Sequence, residues 1–146
     1  MIQRIQSIFL LLASGSLGSL FMNPVAFANF SEPNPSVPAS ADGLLNIYDD
    51  KILLGAATIA IVLGLISIFL YKSRPNQIRY TWSMMAVAVF LIGFTAWDIK
   101  TIGETAPLSI TGIGFIPTAL SIIFGFLAIR SIRKDELLVR SADRLR

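Results

Sequence analysis

Four long apolar stretches punctuate this chain: Ile5–Met22, Ile52–Tyr71, Tyr80–Trp97 and Ile110–Ile129. A helix rises about 1.5 Å per residue and the hydrocarbon core of a bilayer is about 30 Å thick, so a crossing takes roughly 20 apolar residues. Ile52–Tyr71 has that length and no charge, and Ile110–Ile129 matches it. The latter carries Gly112, Gly114 and Pro117 toward its start, so Pro117 either kinks it or marks where regular helix begins. Tyr80–Trp97 ends against Asp98. None of the stretches alternates apolar with polar positions, which argues against a β-barrel and leaves helices to satisfy the backbone in lipid. The pattern predicts an all-α integral membrane bundle of four transmembrane helices in a single domain, with an external loop over 29–50 and a basic helical tail over 130–146.

Composition agrees. Of 146 residues, 54% are apolar and 14% charged, against about 25% charged in an average soluble domain. Tyr48, Tyr71, Tyr80, Trp82 and Trp97 all fall near the ends of stretches, where rings with one wet edge sit at a membrane interface. There is no Cys and no His. Disulfides, thiolate or imidazole metal sites, His-ligated haem and His-based acid–base catalysis are therefore excluded, and the residues imply no cofactor.

Charge sets the orientation. Arg4, Lys72, Arg74, Arg79, Arg130, Arg133, Lys134, Arg140, Arg144 and Arg146 fall on one side of the stretches; the other side has only Lys51 and Lys100. Basic residues accumulate on the cytoplasmic face, so this split predicts both termini and the Lys72–Arg79 turn inside. The net charge of +3 then reflects membrane topology and implies no nucleic acid.

The first segment carries two readings. Arg4, the apolar run and Ala26-Phe27-Ala28 have the form of a cleavable secretory signal, with an A-x-A site after a helix-breaking Pro24. The same residues can instead be a retained span ending at Asn23-Pro24. Cleavage would leave three spans and an outside N-terminus. Beyond it, Asn29–Asp50 holds Pro33, Pro35, Pro38, several serines and four acids, a composition read as a mobile loop with Leu44–Tyr48 along the membrane surface.

Candidate sites are few. Ala56, Ala60 and Gly64 recur every four residues, as do Pro117, Ser121 and Gly125. Small residues at this spacing let another helix approach, either within the chain or in a homo-oligomer. No stretch interior carries Asp, Glu, Lys or Arg, which argues against a proton-coupled transporter. Asp49, Asp50, Asp98 and Glu104 offer carboxylates on the outer side, but no base is placed to activate a serine, and an enzyme is not expected. In the tail, Leu138, Ala142 and Leu145 follow helical i, i+4, i+7 spacing, and Glu136 precedes Arg140 by four. Arg130, Arg133, Lys134, Arg140 and Arg144 surround that stripe. The tail is read as a lipid or partner contact, or simply as a solvated anchor.

The two ends carry a further signal. Met1-Ile2-Gln3-Arg4-Ile5-Gln6-Ser7 opens the chain; Ile132-Arg133-Lys134-Asp135-Glu136 and Val139-Arg140-Ser141-Ala142-Asp143-Arg144-Leu145-Arg146 close it. With the four-stretch layout they resemble the domain-of-unknown-function family 4293, small bacterial membrane proteins typical of Bacteroidota. The resemblance implies a four-helix inner-membrane protein with cytoplasmic termini and a retained first span, and it implies no activity. The polar run Ser14–Ser19 departs from the uniformly apolar first span of that pattern. The expected role is a non-enzymatic accessory or scaffold component acting through the tail; the alternative is a small oligomeric transporter or channel for a neutral or lipid-like substrate.

Overall fold

The computed structural model describes residues 2–22, 25–32, 37 and 42–143, without the side chains of 2–4 and 140–143. Among these residues it holds four helices: α1 (Ile2–Gly18), α2 (Lys51–Phe69), α3 (Arg74–Gly103) and α4 (Phe115–Asp143). Each packs against two others, α1 on α2 and α4, and α3 on α2 and α4. Three are long and apolar enough to cross a membrane: Lys51–Lys72, Arg74–Gly103 and Phe115–Val139. Ile5–Phe21 is apolar but shorter.

Local chemistry sets the helix ends. Asp50 caps α2, its carboxylate accepting from the Ile52 N–H at 2.6 Å; such a cap is worth about 1 kcal/mol. Pro75 stands in the first turn of α3, where a missing N–H costs nothing. Pro117 occupies the first turn of α4 for the same reason, so it marks the start of regular helix.

Much of the packed face of α2 and α4 is made of small residues, with large apolar side chains turned outward. α2 turns Ala56, Ala57, Ala60, Gly64 and Ser67 inward, and leaves Ile59, Val62 and Phe69 exposed. α4 buries Thr118, Ser121, Gly125 and Ala128, and exposes Ile116, Ile123 and Phe126. In water this arrangement would leave the large outward side chains of α2 and α4 uncovered. In lipid it is favourable, because small residues let helices approach closely and the outer face needs no covering. Some buried hydroxyls turn back on the chain just before them: Ser14 donates to the Leu10 carbonyl at 2.9 Å and Thr118 to the Gly114 carbonyl at 3.2 Å.

One end of the bundle carries a small antiparallel sheet, a correction to the purely helical expectation. Its strands are β1 (Ala28–Phe30), β2 (Leu44–Leu45) and β3 (Leu108–Ile110), in the order β2-β1-β3. Ala28 pairs with Leu45 on one side and Ile110 on the other. Two expected boundaries change as a result. Ile110 belongs to β3, and α4 starts only at Phe115, after Gly112 turns the chain with a φ of 73°. The segment read as a mobile external loop over 29–50 contributes strand residues at both ends, although Pro33, Pro35, Ser36, Pro38 and Ser40 lie outside the described residues. Phe27, just before β1, is fully buried against Phe115, with ring centroids 5.2 Å apart. An alanine methyl at Gly114 would lie 2.6 Å from the Phe27 ring, so that contact requires glycine.

Candidate interaction surface at the basic end of the bundle

Away from the sheet, the α2–α3 turn, the start of α1 and the middle of α4 come together. The Arg74 guanidinium lies 2.9 Å from the Asp135 carboxylate, closing α3 onto α4. Gln6 of α1 donates to the Ser131 carbonyl at 3.4 Å. Ser67 meets Thr81 at 2.9 Å, and both hydroxyls lie within hydrogen-bonding reach of the Gln77 carbonyl. Gln77 itself is buried, and its side-chain oxygen has no hydrogen-bond partner among the described residues. This polar layer ties all four helices together where the basic residues begin.

Asp135 stands in the sequence only as part of the closing motif, with no packing role, yet a signal for that role exists. Ser121, Gly125, Ala128 and Ile132 repeat at steps of four and three along the packed face of α4, and the next step is Asp135. A carboxylate continuing a packing face implies a partner on a neighbouring helix, because a lone buried charge is costly.

The opposite face of α4 is different. Phe126, Ile129, Arg130, Arg133, Lys134 and Leu137, with Trp82 of α3, line an open groove of about 450 Å³. Arg130, Arg133 and Lys134 are exposed, and no acid lines the groove. Leu137 is 68% exposed and Leu138 and Val139 are also exposed, so α4 carries a large apolar patch just past its basic turn. The helix itself continues unbroken to Asp143. The side chains of Arg140 and Ala142, and Arg144 and Leu145 altogether, lie outside the described residues.

The small-residue faces point inward. Ala60 is fully buried, Ala56 and Gly64 are buried, and Gly64 abuts Ser14 of α1 and Met84 of α3. Gly125 abuts Met84 and Met85, with Ser121 buried on the same face and Pro117 half-buried. The chain's own helices thus cover these faces, and an oligomer contact through Gly64 would require α1 to move away.

At the sheet end the acids have local partners. Asp49 accepts from the Asn46 N–H at 2.7 Å, Asp50 caps α2, and Asp42 accepts from the Leu44 N–H at 3.2 Å. Burial is the main cause that raises Asp49 above the usual carboxylate range; the Asn46 N–H opposes it, and the charges of Asp42 and Asp98 add to it. Glu104 is exposed. Among the described residues no group of three or more potential ligands is arranged to hold a metal ion.

A family model described as a domain of unknown function (DUF4293) matches residues 2–145, nearly the whole chain. The chain belongs to the DUF4293 family. No curated protein matches it, and no solved structure does. For a DUF4293 protein the family brings no activity with it, so function has to be argued from the surfaces described above.

Proposed function

We propose that this protein is a non-enzymatic component of a bacterial inner membrane, with both ends in the cytoplasm, that presents the end of α4 to a cytoplasmic protein. The observation that carries the reading is the length of α4. Its 29 residues reach about 43 Å, against about 30 Å of hydrocarbon. With the basic turn from Arg130 to Lys134 at the headgroup level, residues 135–143 continue past it as unbroken helix, and exposed Leu137 and Val139 lie close to where it emerges. Large apolar side chains on a projecting helix favour docking over solvation.

The first segment is retained in this reading. α1 and the helical turn Ser19–Phe21 together reach about 31 Å, enough to cross. Leu10, Ala13, Leu17 and Leu20 fill the bundle interior, and a cut after Ala28 would also divide β1. The mass of the purified chain tests this directly: retention keeps residues 1–28, and a chain beginning at Asn29 would refute it.

For the role itself, truncation of Val139–Arg146 and the pair Leu137→Ser with Val139→Ser are compared with the intact chain after purification in mild detergent. Loss of specific co-purifying proteins in both variants, with the bundle's thermal midpoint unchanged, is expected. An identical set of proteins in all three preparations would overturn the proposal.

A further inference from the structure

The groove between α3 and α4 suits an occupant of particular chemistry. Arg130, Arg133 and Lys134 recur on one helical face, spaced so that their Cα atoms cover about 6 Å along the axis. The headgroup layer on each side of a bilayer is about 5–8 Å thick. The cations thus fill one headgroup layer. Below them, toward the membrane centre, Phe126 and Ile129 provide an apolar wall, and half-exposed Trp82 closes the α3 side with an indole N–H at the interface level.

The charge is directional. Of the two acids on this turn of α4, Asp135 lies on the opposite face and is engaged by Arg74, and Glu136 is not among the residues lining the groove. An occupant must therefore be anionic at the rim and apolar beneath it.

We propose that this groove binds an anionic phospholipid, its phosphate held by Arg130, Arg133 and Lys134 and its acyl chains lying against Phe126, Ile129 and Trp82. A free phosphate would use the cations but leave the apolar wall uncovered. A protein segment would need carboxylates and apolar side chains in the same register, at the depth where lipid already stands. The site rests on the chain being in a membrane, and is independent of the partner proposed for the end of α4.

Tryptophan quenching by brominated lipid tests it, using the full-length chain with Trp97→Phe so that Trp82 reports alone. The protein is reconstituted in phosphatidylcholine vesicles containing dibrominated phosphatidylglycerol or, separately, dibrominated phosphatidylcholine at equal mole fraction. Stronger quenching by the glycerol lipid is expected at Trp82, persisting in 0.5 M NaCl, where diffuse attraction is screened within about 4 Å. Each of Arg130→Gln, Arg133→Gln and Lys134→Gln should reduce the preference by up to about fivefold. All three positions are exposed, so the fold should survive. Lys72→Gln, a basic residue at the same end outside the groove, should leave it unchanged. Equal quenching by both lipids, loss of the preference in salt, or an equal effect of Lys72→Gln would overturn the proposal. So would displacement by 10 mM inorganic phosphate at matched ionic strength, which would assign the site to a soluble anion.

Discussion

Gly64→Ala reads out the bundle's packing with a built-in control. A methyl at Gly64 would overlap Ser14 Oγ and approach Met84 Sδ to 2.8 Å. Met84 is flexible and can give way. Ser14 cannot move as freely, because its hydroxyl is bonded to the Leu10 carbonyl at 2.9 Å within its own helix. Overpacking of this kind costs about 1–3 kcal/mol, while replacing a helical glycine by alanine returns about 1 kcal/mol. The net expectation is a loss of up to about 2 kcal/mol, at most roughly a thirtyfold change in the unfolding equilibrium. Gly55 lies in the same helix with nothing within 4 Å of its added methyl, so Gly55→Ala should show only the propensity gain and stabilise by up to about 1 kcal/mol. Adding Ser14→Gly to Gly64→Ala should recover part of the loss, giving a coupling of about 1 kcal/mol. The assay is reversible unfolding in mixed micelles, followed by helicity at several protein concentrations. Equal effects at Gly64 and Gly55 would refute the packing; a loss that varies with protein concentration would move the face to an oligomer contact.

Two further expectations concern charge. Arg74 and Asp135 are partly buried, with side chains 25% and 12% exposed, so removing either alone should cost about 1–3 kcal/mol, less than for a fully buried pair. Arg74→Ala with Asp135→Ala should cost less than the sum, and strict additivity in the double-mutant cycle would show the pair to be inert. Asp49 has a raised pKa, mainly from burial, so the folded state holds a proton the unfolded chain has already lost. Stability should therefore rise as pH falls from neutral through the folded pKa toward the ordinary value of 3.8. Asp49→Asn retains an oxygen to accept from Asn46 and lacks the titrating group. The difference in thermal midpoint between the two proteins should shrink from pH 7 to pH 4, and parallel curves would contradict the assignment.

The helices were legible because their signal is long. A run such as Ile52–Tyr71 needs only composition to announce itself, and Asp50 before it has the chemistry of a cap. The sheet was not legible, because its strands are two or three residues long and pair across as many as 82 positions, from Ala28 to Ile110. No periodicity develops in so short a run. Phe27 illustrates the cost of local reading. Between two alanines it has the form of a cleavage motif, while its actual surroundings are Phe115 and the bare backbone of Gly114. The groove was half legible: Arg130, Arg133 and Lys134 stood out as basic, but Trp82 joins them only once α3 lies beside α4. Asp135 was hidden by its charged neighbours Lys134 and Glu136, which made a packed carboxylate look like part of a solvated run.

The natural absence of cysteine makes the topology directly measurable. Single cysteines replace Asn76, exposed at the start of α3, and Glu104, exposed at its other end. Intact spheroplasts and lysed membranes are then treated with a membrane-impermeant maleimide. A bundle with its basic end inside predicts labelling of Glu104→Cys in intact cells and of Asn76→Cys only after lysis. Labelling of Asn76→Cys in intact cells, with Glu104→Cys protected, or recovery of the chain in the soluble fraction without detergent, would contradict it.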